Sequence, residues 1–255
     1  MKKKNQKIFQ AKCKKENNQY ILNIPDYDLE KLPKISVLTI TKNRKDLFTL
    51  PVHIWNEYIY PYEKLEWVIL DDGEEDLTDL LPLDGRVKYV QTGPFKTLGE
   101  KRNFGVEQCS HDYVSIMDDD DIYFPDSLIA KIKCLLYYPK KECVFSMPIG
   151  VYNVKNESSQ VIKTEKKCFP EATMMFSKKF WQTYKYGKTN EEEGTELISK
   201  RYKKLVEIPF WFNCICLTHG DNITGKLRDL EGDKEASNLL DMVNEEVRGI
   251  IKNIY

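Results

Sequence analysis

From Pro33 onward, short apolar runs alternate with amphipathic stretches, and this alternation constrains the fold more than any other feature of the chain. Apolar residues 35–40 precede a helical pattern at 45–58. Runs at 67–70 and 87–90 follow, then helical 98–109, apolar 113–117 and helical 127–136. The strand-like runs are short and nearly continuous in apolar character. That is the pattern of parallel strands covered by helices on both faces, whereas a strand with one wet face alternates. The chain is therefore predicted to be α/β, with a mixed, mostly parallel sheet and helices on both faces. In such sheets ligands gather at the carboxyl ends of the strands, so polar residues just beyond each run are the first candidates for function.

The second half is less regular. Residues 143–147, 159–163, 172–176 and 210–217 read as further strands among loops and a polar 184–194 segment, which predicts mixed pairing there. Before Pro33, β-prone residues 7–13 and 19–24 flank a polar stretch and predict a hairpin. Leu239, Leu240, Val243, Val247, Ile250, Ile251 and Ile254 recur at three- and four-residue steps, the mark of an amphipathic helix. The expected organisation is an amino-terminal extension over 1–33, a main domain over 34–228 and a carboxy-terminal helix over 229–255 packed on it.

Composition excludes several classes. At 255 residues, 41% hydrophobic, the chain buries enough surface to fold without disulfides or a structural metal. Its seven cysteines are odd in number and form no CxxC pair, so neither a disulfide framework nor a zinc ribbon is expected. No apolar run approaches the ~20 residues of a bilayer span, so a cytoplasmic protein with no transmembrane segment is expected. The first fifteen residues hold seven lysines and no acid, leaving 32 basic against 40 acidic residues for the rest. A short lysine-rich end reads as a solvated tail on an acidic body, and no nucleic-acid partner is expected.

The loudest local signal is Asp118-Asp119-Asp120-Asp121 at the end of an apolar run. Four adjacent acids repel, and a divalent cation bridging to phosphate oxygens would neutralise them. The competing reading is a solvated acidic turn that caps the following helix. Asp71-Asp72 ends the 67–70 run and leads into Gly73, where a carboxylate would accept hydrogen bonds from a base or ribose, or simply make a turn. Thr41, Asn43 and Arg44 end the first run. Lys101 and Arg102 open the 98–109 helix, where bases would meet phosphate or lie in a solvated first turn.

Taken together, residues 35–44, 69–73, 99–103 and 118–121 resemble family 2 of the glycosyltransferases, which has the GT-A fold, a Rossmann-like sheet of nucleotide-diphospho-sugar transferases. The resemblance covers residues 34–136. It implies a nucleotide-diphosphate sugar donor of UDP or GDP type, with Mn²⁺ or Mg²⁺ on its diphosphate. Asp118-Asp119-Asp120 looks like the family's DXD motif, with Asp120 on the metal and Asp118 or Asp119 on ribose or metal. Asp72 would lie near the base, and Arg102 looks like the donor-side arginine.

Inverting members also carry an acid, often in a Glu-Asp pair, that deprotonates the acceptor hydroxyl. Glu193-Gly194-x-x-Leu197 is similar in spacing to Glu-Asp-x-x-Leu, with Gly194 replacing the second acid, and this makes Glu193 the candidate base. Glu191 and Glu192 are as close in sequence, and an acidic first turn also stabilises any helix. His219, at the end of the 210–217 run, is the candidate late metal ligand. Two other readings stand beside this one. A nucleotidyltransferase would want a Gly-rich phosphate loop near residues 41–44, which is absent. A non-catalytic sugar- or protein-binding module on the same fold would not hydrolyse donor. The sugar and the acceptor are read by loop residues that no motif encodes.

Overall fold

The computed structural model describes residues 8–16, 19–162, 169–219 and 238–255. Residues 1–7, Lys163 at the end of the 159–163 segment, and residues 229–237 lie outside these. The short β1 (Phe9–Gln10) precedes a hairpin of β2 (Cys13–Glu16) and β3 (Gln19–Leu22). Then come β4 (Ile35–Thr41), α1 (Thr49–Glu57), β5 (Leu65–Asp71), β6 (Val87–Gln91), α2 (Leu98–Gln108), β7 (Tyr113–Ile116), β8 (Ile122–Tyr123) and α3 (Ser127–Tyr137). The second half holds β9 (Cys143–Ser146), β10 (Ile149–Asn153), β11 (Ser158–Ile162), β12 (Met175–Ser177), α4 (Lys178–Thr183), α5 (Gly194–Ile198), β13 (Leu205–Ile208), β14 (Cys214–Thr218) and α6 (Glu245–Ile254).

Eight strands form the main sheet in the order β1-β13-β9-β12-β7-β4-β5-β6. Every neighbouring pair is parallel except those of β12, which runs antiparallel to β7 and β9. All seven residues of β4 are buried. Its Ile35 and Val37 feed the core that holds Phe48, Trp55 and Trp67, while Leu38 and Ile40 feed a second core with Val106 and Ile116. Each such side chain contributes roughly 1.5–3 kcal/mol relative to exposure, which is why this run sits at the middle of the sheet. A second sheet has the order β11-β10-β14-β8.

Four expectations are corrected. The start of the chain is not only a hairpin, because β1 pairs in parallel with β13 at the edge of the main sheet. Residues 172–176 are not one strand: Glu171–Thr173 is a 3-10 turn before β12. Likewise, Phe210–Phe212 is a 3-10 turn and the strand begins only at Cys214. At the carboxy terminus Leu239–Met242 is a separate 3-10 turn. Asn244 breaks the pattern by capping α6, its side chain accepting from the Val247 N–H. Val247 and Ile251 then pack into the core shared with Ile54 and Trp55 of α1.

Thr97 caps α2, its hydroxyl accepting from the Glu100 N–H at 3.2 Å. Gly99 stands two residues after the cap, and a Cβ there would lie 1.7 Å from the Gly187 carbonyl oxygen. Only glycine lets the 186–194 loop approach the start of α2 so closely. Gly99→Ala is therefore expected to destabilise the protein by about 1–3 kcal/mol, the range for forced overpacking. A denaturation midpoint equal to that of wild type would show that the two segments are not held at this distance.

Candidate active site

Because β4, β5, β6 and β7 are parallel, Thr41, Asp71 and Gln91 stand at one edge, with Asp118 just beyond β7. The antiparallel β12 presents its beginning there instead: Met175 pairs with Ser115, and the Ile116 N–H donates to the Met174 carbonyl. The residues just before β12, including Glu171, thus arrive at the same crevice. β14 of the second sheet brings His219 in from the other side. Six carboxylates, Asp118 to Asp121, Glu171 and Glu193, line the resulting cleft with Arg44 and Arg102.

The Asp cluster is held by named bonds. The Asp118 N–H donates to the Tyr123 hydroxyl at 2.9 Å, and that hydroxyl donates to the Ala172 carbonyl at 2.9 Å. One Arg44 nitrogen, Nη1, lies 2.6 Å from Asp119 Oδ1 and 2.9 Å from Asp120 Oδ2. His219 Nε2 is 3.0 Å from the same Asp120 oxygen. Asp121 Oδ1 accepts from the Leu217 N–H at 2.9 Å. Burial, reinforced by the Asp120 charge, pushes Asp119 up to about 6 against the pull of Arg44. Burial works on Asp120 too, but the His219 hydrogen bond and Arg44 outweigh it and keep that carboxyl below its ordinary value. Asp121 is raised well above the carboxylate range by burial and by the negative Asp120 and Asp118 beside it.

Arg102 links two acids. Its Nε donates to Glu193 Oε1 at 2.7 Å, and its Nη1 to Asp118 Oδ1 at 3.2 Å. Glu193 is buried while Glu191 and Glu192 are exposed, so the burial separates three acids that looked alike in sequence. The loop that carries Glu193 is tied to α2. The Leu98 N–H donates to Asn190 Oδ1 at 2.9 Å, the Gly99 N–H to the Thr189 carbonyl at 3.0 Å, and the Gly187 N–H to the Glu193 carbonyl at 2.8 Å.

On the β4–β5 side, the Lys101 ammonium donates to Asp72 Oδ1 and to the Thr41 carbonyl. Phe95 N–H donates to Asp72 Oδ2 at 3.2 Å. Burial opposes the Asp72 charge, but the Lys101 bond overrides it and lowers that carboxyl. Asn43 adopts a positive φ of 50° and its Oδ1 accepts from the Glu74 N–H at 2.7 Å, so it joins the two strand ends. The residues singled out in sequence thus fall into three groups on one edge: Arg44, Asp119, Asp120 and His219; Arg102, Asp118 and Glu193; Thr41, Asn43, Lys101 and Asp72.

Sequence reasoning missed two contributors. Glu171 reaches the cleft through the reversed strand β12, and its Oε1 accepts from the Gly194 N–H at 2.9 Å. The ring of Tyr255, from the end of α6, lies against the His219 imidazole with centroids 4.8 Å apart. A lone acid in the otherwise apolar 169–176 stretch was the available signal for Glu171.

The donor set suits a hard divalent cation. Asp119 Oδ2 is buried with no hydrogen-bond partner among the described residues, and carboxylate with imidazole fits Mn²⁺. Among the described residues no three His, Cys, Asp or Glu side chains stand close enough to hold a metal by themselves. Asp120 and His219 would therefore leave the remaining positions to phosphate oxygens and water, as Mg²⁺ sites at nucleotides commonly do.

This mostly parallel sheet, with one reversed strand and acids at its carboxyl edge, has the GT-A fold. It aligns with a mannosyltransferase from Pyrobaculum calidifontis in complex with GDP-Man and Mn²⁺ at a TM-score of 0.54 and 17% identity, over 75% of this chain and 58% of that one. Staphylococcus aureus TarS 1–349 in complex with UDP aligns at a TM-score of 0.55 and 14% identity, over 72% of this chain and 60% of that one. In sequence the chain is 28% identical over 200 residues to poly-beta-1,6-N-acetyl-D-glucosamine synthase of S. aureus, covering 76% of this chain. It spans 46% of that relative's length. Residues 36–202 match the model of glycosyl transferase family 2, and the chain belongs to that family. Among the described residues no helix is long and apolar enough to cross a membrane.

Proposed function

We propose that this protein transfers a sugar from a nucleoside-diphosphate donor, of UDP or GDP type, to an acceptor hydroxyl, with inversion at the anomeric carbon. The observation that carries the proposal is the convergence of Asp119, Asp120, Arg44 and His219 at the carboxyl edge of the sheet. The bound GDP-Man and Mn²⁺ of one structural neighbour and the UDP of another support the donor class. Mn²⁺ or Mg²⁺, held by Asp120 and His219, would offset charge building on the departing diphosphate. Arg44 and Arg102 supply fixed positive charge on the same side. Asp118 or Asp119 addresses the ribose, and Asp72, braced by Lys101, addresses the base. Thr41 and Asn43 shape the strand ends around the nucleotide.

On the acceptor side, Glu193 takes the hydroxyl proton as that oxygen bonds to the anomeric carbon. The electron pair of the broken bond leaves with the diphosphate. The stability of the Arg102–Glu193 pair fixes the base before the acceptor arrives, so orientation is already set when the reaction begins.

A panel of nucleotide sugars tested by thermal shift with Mn²⁺, followed by donor hydrolysis, checks the proposal. Stabilisation by one nucleotide class together with slow hydrolysis is expected. Stabilisation without any hydrolysis or transfer would point to a binding module. Asp72→Asn keeps an acceptor for Lys101 but removes the charge, and is expected to weaken nucleotide binding about tenfold or more, the size of one charged hydrogen bond. Its metal dependence should be intact, and calorimetry showing unchanged affinity would remove Asp72 from the base site.

A further inference from the structure

Glu171 is a cleft-lining carboxylate that the proposed chemistry leaves unused. Its Oε1 accepts the Gly194 N–H at 2.9 Å, and a Cβ on Gly194 would lie 2.6 Å from that same oxygen. The Glu171 carboxyl therefore fills the room that a side chain at position 194 would take, directly behind Glu193. Facing it are Glu193 from the loop before α5, Arg102 from α2 and the Tyr186 ring. The Tyr186 hydroxyl is buried and has no hydrogen-bond partner among the described residues. Resting on the transferase reading above, we propose that Glu171 is a positioning residue: by filling the place beside Gly194 and bonding its peptide, it fixes Glu193 for removal of the acceptor proton.

Its charge state serves that role. Burial, and next the negative charge of Glu193, push Glu171 up to about 8, with Arg102 opposing. At neutral pH Glu171 keeps its proton and adds no charge beside the Glu193–Arg102 pair. Above about pH 8 Glu171 ionises, and its charge competes with Glu193 for Arg102. Two close carboxyls cannot both ionise cheaply, which is the physical origin of the coupling.

The test compares wild type, Glu171→Ala and Glu171→Gln in hydrolysis of the nucleotide sugar that the panel identifies, with water standing in for the acceptor hydroxyl. Glu171→Ala should lower kcat tenfold or more with donor affinity within about twofold of wild type. Glu171→Gln, which keeps the acceptor oxygen and resembles the protonated acid, should restore kcat to within about threefold. Wild type should lose activity above about pH 8, and Glu171→Gln should lack that limb. A kcat of Glu171→Ala within twofold of wild type would overturn the proposal. So would a Glu171→Gln variant as impaired as Glu171→Ala, which would make Glu171 itself the proton acceptor. If wild type consumes no donor, the transferase reading fails, and carbon-13 titration of the glutamate carboxyls separately tests the Glu171–Glu193 contact. One carboxyl titrating near 8, absent in Glu171→Gln and returned to the ordinary range in Glu193→Gln, supports the coupling. No such carboxyl would overturn it.

Discussion

Glu193→Gln is expected to cut sugar transfer by roughly a hundredfold or more while donor affinity stays within about twofold of wild type, the usual size of a general-base contribution. The amide oxygen still accepts the Arg102 Nε–H that Glu193 Oε1 accepts at 2.7 Å, so the loop should keep its place. What is lost is the ability to take a proton. Glu191→Gln and Glu192→Gln change exposed residues and should cost less than about twofold. A purely helix-stabilising acidic turn would make all three losses similar and small. Steady-state transfer read alongside donor calorimetry separates these outcomes, and transfer by Glu193→Gln within a few-fold of wild type would remove its assignment as base.

Arg102→Met should have the largest effect on stability. Arg102 is buried and bridges Glu193 and Asp118, so its removal leaves the buried Glu193 and the partly exposed Asp118 without their cation. Breaking a buried pair by deleting one partner costs about 3–5 kcal/mol. For a chain of this length that corresponds to a fall in Tm of roughly 6–20 °C. Arg102→Lys should recover only part of it, because one ammonium lacks the fork that reaches both acids. A Tm within about 2 °C of wild type for Arg102→Met would show that the bridge contributes little, and would weaken the case for a preset Glu193.

The parallel half of the sheet was legible because each strand there is a short apolar run ending in polar residues. β4, β5 and β7 fall where the pattern put them, with Asp71-Asp72 and Asp118 at their ends. β1 was not legible as part of that sheet. Two residues carry no periodicity, and its partner β13 lies far along the chain. The 210–217 run looked continuous because Phe210, Phe212, Cys214 and Ile215 are all buried, and burial is shared by the 3-10 turn and the strand that follows. The Asn244 cap in the carboxy-terminal segment was visible in the Asn-Glu-Glu run, yet the apolar spacing across it masked the break. Glu171 was missed for a topological reason: only a reversed strand brings residues that precede it to the carboxyl edge, and no local pattern announces that reversal. Asp118 to Asp121, Glu193, Arg44 and Arg102 were all singled out from sequence, but their pairing into separate Asp119–Arg44–Asp120 and Asp118–Arg102–Glu193 groups needed the fold.

The most direct test of a cation-assisted donor site is titration calorimetry of UDP and GDP with Mn²⁺ and with chelator, in wild type and in Asp120→Ala. Asp120 Oδ2 meets both Arg44 and His219, so its removal dismantles the carboxylate–imidazole pair of the cleft. Wild type should bind one of the two nucleotides at least tenfold more tightly with Mn²⁺, a difference of about 1.4 kcal/mol, and Asp120→Ala should lose that difference. Equal affinity with and without Mn²⁺, in wild type and variant alike, would contradict the account.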